Sequence, residues 1–180
     1  KGTSVLDGIL KARNNYVEQK TVRYSNSMNY LYQPSEKQQL SLSADWTHFD
    51  GKARCEQPND YFSPMNKLVR SDLFYSQPDK DIDIYALLAD YKYNPNAQNE
   101  WLAGIKTSLI KSNNTFLFKR NGTIDLQRSN RFDYNEHNIE GYTQYTHTWN
   151  KLELSAGLRM EYMYIHNKLN AYTNHKTEEN

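Results

Sequence analysis

The sequence holds a single cysteine, Cys55, so it can build neither an internal disulfide framework nor a multi-cysteine metal site. Seven glycines and five prolines exclude a collagen-like or low-complexity chain. Neither sign of charge dominates. Lys plus Arg is 22, Asp plus Glu is 21, and a net charge of +1 gives no electrostatic basis for binding nucleic acid. No stretch approaches the ~18 apolar residues of a spanning helix, which excludes a helical membrane protein. Nucleophile elbows, phosphate-binding glycine loops and nucleophile–base motifs are all missing, so no catalytic residue is assigned and the chain is read as not an enzyme. The five histidines (His48, His137, His147, His166 and His175) show no zinc-type spacing, so neither a metal nor a cofactor is expected.

Aromatic rings are plentiful. There are 15 Tyr, 6 Phe and 3 Trp in 180 residues of otherwise polar composition. Disordered chains are poor in aromatics, and soluble cores draw more on Leu, Ile and Val. Alternation is the recurring pattern. In 151–162 the even positions Leu152, Leu154, Ala156, Leu158, Met160 and Tyr162 are apolar or aromatic, while the odd positions Lys151, Glu153, Ser155, Gly157, Arg159 and Glu161 include no large apolar side chain. Successive side chains of a strand point to opposite faces, so this segment has one apolar and one charged face. Weaker alternation runs through 21–32, 38–49, 85–93 and 100–109. In 131–149 the parity changes near His137–Asn138, which reads as a bulge or kink.

Short polar connections (33–37, 94–98 and Trp149–Asn150–Lys151) alternate with long ones (50–80, 111–130 and the stretch after about 166). This wiring predicts an all-β fold: an antiparallel up-and-down meander forming part of a large transmembrane β-barrel. The expected organisation is an irregular segment over 1–20, about six long strands over 21–166 with long loops at 50–80 and 111–130, and a polar tail or loop over 167–180. Segment 68–76 is strand-like but is placed inside the first long loop, because an added spanning strand would break the alternation. Tyr30, Tyr32, Tyr91, Tyr93, Trp101 and Trp149 lie near the short turns, and Trp46, Phe49, Phe132, Tyr134, Tyr162 and Tyr164 near the opposite ends. Two such bands fit rings seated at two water–lipid interfaces.

Three motifs then occur in order. Asp90-Tyr91-Lys92-Tyr93-Asn94-Pro95 precedes Leu102-Ala103-Gly104-Ile105-Lys106. Phe132-Asp133-Tyr134-Asn135-Glu136 follows, with Tyr142 and Tyr145, and then Leu154-Ser155-Ala156-Gly157-Leu158-Arg159-Met160-Glu161-Tyr162. Over about 81–166 this run resembles the outer-membrane β-barrel family within the TonB-dependent receptors. The resemblance implies location in the cell outer membrane, contact with its lipid, and a plug domain that engages TonB. It also implies uptake of a large scarce nutrient, a metal chelate or an oligosaccharide. A barrel of that kind has roughly twenty-two strands, so the chain reads as an interior slice without its plug, whose open edges and apolar face favour self-association when isolated.

No binding residue is fixed by the sequence. Lys106, Glu136, Arg159 and Glu161 are weak candidates for the lumen wall, where a wet interior requires polar side chains in any case. Lys106 and Glu136 could pair across strands, which would make them structural. Tyr61, Phe62, Pro64, Met65, Phe74 and Tyr75 could stack on a ligand or pack their own loop. Cys55 reads as an incidental free thiol. Two alternatives remain open. One is a soluble lipocalin-like barrel that encloses a small apolar ligand with its apolar face turned inward. The other is an extracellular β-rich enzyme, for which no converging catalytic pair is visible.

Overall fold

The computed structural model describes residues 9–12, 16–171 and 176–179. Within them the chain forms one antiparallel sheet. Its long strands are β2 (Tyr16–Ser35), β3 (Gln38–Phe62), β4 (Leu68–Asn96), β5 (Asn99–Arg120), β7 (Asn130–Trp149) and β8 (Leu152–Ala171). They run from 20 to 29 residues and lie side by side in chain order. Three short strands complete the sheet: β1 (Ile9–Ala12) along β3, β6 (Thr123–Ile124) along β5 and β9 (Lys176–Glu179) along β8. No helix occurs among the described residues.

Two-residue turns close one end of the sheet at Glu36-Lys37, Ala97-Gln98 and Asn150-Lys151, where Asn150 takes a left-handed φ of 48°. At the other end the chain reverses at 63–67 and at Asn121-Gly122. The latter pair has φ of 51° and 83°, the positive values that a tight hairpin of this type requires.

The expected long loops are a correction. Most of 50–80 and 111–130 is paired strand: β3 runs on to Phe62, β4 already starts at Leu68, and β5 continues to Arg120. Segment 68–76 is therefore the far end of β4 and not a separate piece inside a loop. Adding its length to β4 keeps the up-down order intact. The irregular segment expected over 1–20 contains strand at 9–12 and from Tyr16 onward, and the polar tail expected from 167 begins as strand to Ala171. The remainder of both lies outside the described residues.

The bulge expected near His137–Asn138 is absent. β7 pairs with β5 and with β8 without a register shift through these residues. What changes is the apolar side. Below this level β7 turns Ile139, Tyr145 and Trp149 to one face, and above it turns Phe132 and Tyr134 to the other. The same exchange occurs on every neighbour. β3 passes from Leu42, Ala44 and Trp46 to Phe49, and β4 from Tyr85, Leu87 and Ala89 to Ile82 and Ile84. β5 passes from Ile105 and Leu109 to Ile110 and Phe116, and β8 from Leu158, Met160 and Tyr162 to Ile165 and Leu169. A one-residue slip would have inverted the faces. Here the register is continuous and the chemistry inverts instead.

Near the two-residue turns the first face forms an apolar belt between aromatic edges. On β2 and β4 it runs from Tyr32 to Tyr24 and from Tyr93 to Tyr85, roughly nine residues, the span of a tilted strand across a bilayer. The belt has no cover. Among the described residues no hydrophobic side chain is buried, and Leu154, Leu158 and Met160 are 59, 67 and 71 % exposed. A soluble carrier would enclose these side chains around a ligand, so the lipocalin-like alternative does not fit. A continuous apolar face of this extent is stable only against hydrocarbon or another apolar surface.

The far end is fastened by charge. Asp72 of β4, 2 % exposed, receives Arg70 Nε at 3.0 Å and Arg120 Nη2 at 2.9 Å. Asn121, in the β5–β6 turn, donates to Asp72 through Nδ2 at 3.0 Å and accepts from the Leu73 amide at 2.7 Å. Desolvation alone would raise the Asp72 carboxyl. The Asn121 and Arg120 hydrogen bonds and the two guanidinium charges outweigh it and hold the group below its ordinary value.

Two outcomes follow from this arrangement. Leu158→Arg in the membrane-embedded protein should destabilise it by about 2–4 kcal/mol if Leu158 lies near mid-bilayer. Unfolding in lipid vesicles measures this, and a change near zero contradicts the lipid-facing assignment. Because the folded Asp72 carboxyl titrates lower than the unfolded one, its contribution is complete above the unfolded value and is lost as pH falls through the folded value. Amide exchange at Leu73 and Asn121 should therefore accelerate only below the ordinary carboxylate range. Acceleration already near neutral pH would show that another group fastens the hairpin.

Candidate functional site

Opposite the belt, the same strands carry a polar face whose centre is one lateral row. Strand register places Asp90 of β4, Gly104 of β5, Tyr142 of β7 and Arg159 of β8 side by side. Tyr142 lies across Gly104 and donates its hydroxyl hydrogen to Asp90 Oδ1, bridging two strand spacings. Glycine leaves free the space this crossing uses. A Cβ on Gly104 would stand 2.4 Å from Asp90 Oδ1 and 2.5 Å from Tyr142 Cζ and Oη. The missing side chain is the channel through which the tyrosine reaches its acceptor.

Arg159 extends the row into an ion-pair ladder. Its Nη2 lies 2.9 Å from Glu140 Oε2 and 3.8 Å from Glu161 Oε2, and Glu161 Oε1 accepts a hydrogen bond from Asn138 Nδ2 at 2.8 Å. Lys106 stands directly opposite Glu140 in register and lines, with Glu140, Tyr142 and Arg159, an open recess of about 500 Å³. A second ion pair, Lys92 to Glu100 at 2.7 Å, lies nearer the short turns. Exposed pairs of this kind contribute little to stability, so the ladder describes the chemistry of the wall more than its strength. It offers cationic and anionic groups in alternation and no nucleophile–base pair.

The four sequence candidates thus divide. Lys106, Arg159 and Glu161 gather around Glu140, which sequence reading had passed over because its partners are remote in the chain. Glu136 stands apart: it faces Ile110 and Ile165 in register and accepts the Tyr134 hydroxyl. That hydrogen bond, with desolvation and the carboxylate charge, raises the Tyr134 phenol. Lys106 and Glu136 do not pair.

The aromatic groups of 50–80 do not converge either. Phe74 packs on Phe118 with centroids 5.7 Å apart, Tyr75 lies under Lys119 at 5.4 Å, and Tyr61 under Arg70 at 4.2 Å. Met65 sits at the turn tip. Cys55 is a half-buried free thiol within β3.

Strand register also assembles what histidine spacing had not shown. His48, Asp81 and Asp83 bring their ligand atoms within 4.8 Å of one another. They lie on the belt face just past Trp46 and Tyr85. Asp83 Oδ1 already takes the Trp46 indole hydrogen at 3.1 Å and faces His48 Nδ1 at 3.0 Å. The group is an anchor for interfacial rings, and no metal is assigned to it.

Comparison with known proteins bears on the sheet from the end of β2 onward. Residues 33–180 match the outer membrane protein beta-barrel family. No curated protein matches the chain.

The bridge over Gly104 makes a specific expectation. Tyr142→Phe removes a hydrogen bond to a carboxylate and should cost about 1.5–3 kcal/mol. Gly104→Ala, which pushes the ring off Asp90, should remove the same interaction, so the double variant should lose little more than either single one. Chemical unfolding in lipid vesicles gives the cycle. Fully additive losses would show that ring, glycine and carboxylate act independently.

Proposed function

The chain belongs to the outer membrane protein beta-barrel family, and from that premise we propose that it forms part of the wall of a TonB-dependent receptor that takes up a large, scarce nutrient. The observation that carries this reading is the division of the two faces in the membrane zone. The belt turns Leu87, Ile105, Leu158 and Met160 to lipid, while Asp90, Lys106, Glu140, Arg159 and Glu161 line the interior on the same strands. Among the described residues the sheet is open, since β2 and β8 do not pair with each other. Six such strands are fewer than the eight of the smallest barrels, so they serve as an arc of a wider wall.

Alternating charge on that arc suits contact with a folded plug: Arg159 and Lys106 offer donors, and Glu140, Glu161 and Asp90 offer acceptors. A plugged lumen differs from an open pore in needing energy to clear it, and TonB supplies that energy in receptors of the kind the motifs resemble. The strands extend far past the belt on one side only. In outer-membrane barrels the long side faces the outside of the cell, so cargo meets the projecting sheet first.

The test compares cells lacking the intact protein with cells lacking TonB, grown on a panel of sole iron and sole carbon sources. Both deletions should abolish growth on the same source. Growth that needs the protein but not TonB would make the barrel a passive pore.

A further inference from the structure

Just above the upper aromatic band, the outer face of the sheet is divided by charge. On β3 and β4 its rows carry Asp50, Asp79, Asp81 and Asp83 against His48 and Lys52. On β5, β7 and β8 the same rows carry Lys111, Arg131, Lys168 and His166 against Asp133 alone, with asparagines and one threonine between them. That single acid is already met: Arg131 Nε lies 2.9 Å from Asp133 Oδ1, and Asn170 Nδ2 donates to Oδ2 at 3.4 Å. Asp83, the register neighbour of Lys111, is held by Trp46 and His48, and Asp50 by Lys52. Lys111 and His166 are left over. They stand in one row on either side of Asn135, two strand spacings or about 10 Å apart. Among the described residues neither has an ion-pair or hydrogen-bond partner.

The level of this row narrows what can reach it. Trp46, Tyr85 and Tyr164 lie one row below on the same face, and interfacial rings sit among lipid headgroups. With the long strand ends outward, the row meets the outer leaflet, whose lipids in an outer membrane are phosphorylated glycolipids. Basic side chains at the edge of the hydrocarbon attract anionic headgroups. A phosphate over Asn135 is within reach of the Lys111 ammonium, the Asn135 amide and an imidazole N–H of His166.

Below the row the belt is hollowed. Ala44 and Ala89 lie diagonally across β3 and β4 among Met28, Leu42, Leu87 and Ile105, and their small side chains leave a recess of about 570 Å³. Strand tilt aligns the two features. At about 45°, a line dropped from Asn135 along the membrane normal crosses β5 at Leu109, passes between Tyr85 and Leu87 on β4, and reaches β3 at Ala44. A chain hung from the phosphate row therefore falls into the recess.

We propose that this outer flank binds one phosphorylated glycolipid of the outer leaflet. Lys111 and His166 clasp a phosphate over Asn135, and an acyl chain lies in the recess around Ala44 and Ala89. The proposal rests on the orientation given with the receptor reading and uses neither TonB nor cargo.

The experiment presents the intact protein in detergent with three lipids and follows retained lipid by native mass spectrometry: lipid A with both phosphates, the same lipid with both removed, and phosphatidylethanolamine. Only the phosphorylated lipid A should be retained. Lys111→Gln and, separately, Ala89→Phe should each lower its retention at least five-fold. Lys119→Gln, which removes a cation of the same face well above the row, should not. The compact, unheated electrophoretic form shows that each variant folds. Equal retention of the dephosphorylated lipid overturns the proposal, as does retention unchanged by Lys111→Gln or by Ala89→Phe, or retention of none of the lipids. Loss of lipid A in EDTA would put the phosphate on a cation at the acidic flank and also overturns it. Phosphatidylethanolamine retained in place of lipid A overturns both the proposal and the outward orientation. TonB dependence is decided separately by the deletion.

Discussion

Everything in this sheet depends on one constraint: a backbone that enters hydrocarbon must satisfy its own hydrogen bonds, so pairing cannot be interrupted where the surroundings change. β4 and β5 pair from Phe74–Arg120 down to Tyr93–Trp101, through the lipid zone and well beyond it, without a slip between them. The side chains absorb the change of medium instead. At the upper edge of the belt the apolar positions move from one parity to the other on five adjacent strands. The exchange takes from one residue, on β4 and β5, to five, on β7. A bulge would have achieved the same reorientation only by leaving backbone groups unpaired at the interface.

The polar face solves a different problem with the same ladder. Inside the membrane zone, charge on that face must be neutralised within the wall or by whatever fills the lumen. Asp90 is met by Tyr142 across Gly104, and Arg159 is met by Glu140 and Glu161. The lateral row ties β7 to β4 across β5, and beside it Arg159 ties β8 to β7. It therefore resists sliding of β5 against its neighbours, since a shift by a residue pair would place Lys106 or Leu102 under the tyrosine ring in place of glycine.

Much of this was legible in the sequence where a single strand carries the information. The alternation over Leu152–Tyr162 fixes its own faces, and the two-residue connections declare themselves by composition. What escaped was relational. The parity change at His137–Asn138 is real, but from one strand a bulge and an exchange of faces look identical, and only uninterrupted pairing on both flanks separates them. Segments 50–80 and 111–130 read as loops because Asp, Asn and Lys alternate there with few aliphatics. Paired to each other above the membrane, those charged positions simply form the wetted side. Glu140 went unnoticed beside Arg159 because cross-strand partners are adjacent in space and distant in the chain, and the His48–Asp81–Asp83 group was hidden for the same reason.

The aromatic band supplies one more quantity that neither sequence nor pairing gives alone. Hydrogen-bonded rows lie perpendicular to the strands, so a band parallel to the membrane must cross them if the strands are tilted. The row through Tyr32 passes Leu40, Tyr91 and Ala103 and reaches β7 at Thr143, whereas the lower ring on β7 is Trp149, six residues further on. That drift is about 20 Å over four strand steps of about 4.8 Å, an inclination of roughly 45°. At the upper edge the row through Tyr24 reaches β8 at His166, and the nearest ring on the belt face is Tyr164, about 7 Å lower over five steps, or roughly 15°. The lower edge reaches the ~35–45° at which strands of outer-membrane barrels cross the bilayer. Both edges drift in the same sense. A flat sheet lying on a membrane, or a sandwich packed face to face, has no reason to slide its aromatic residues along the strands in proportion to strand number. A tilted wall curving toward closure does.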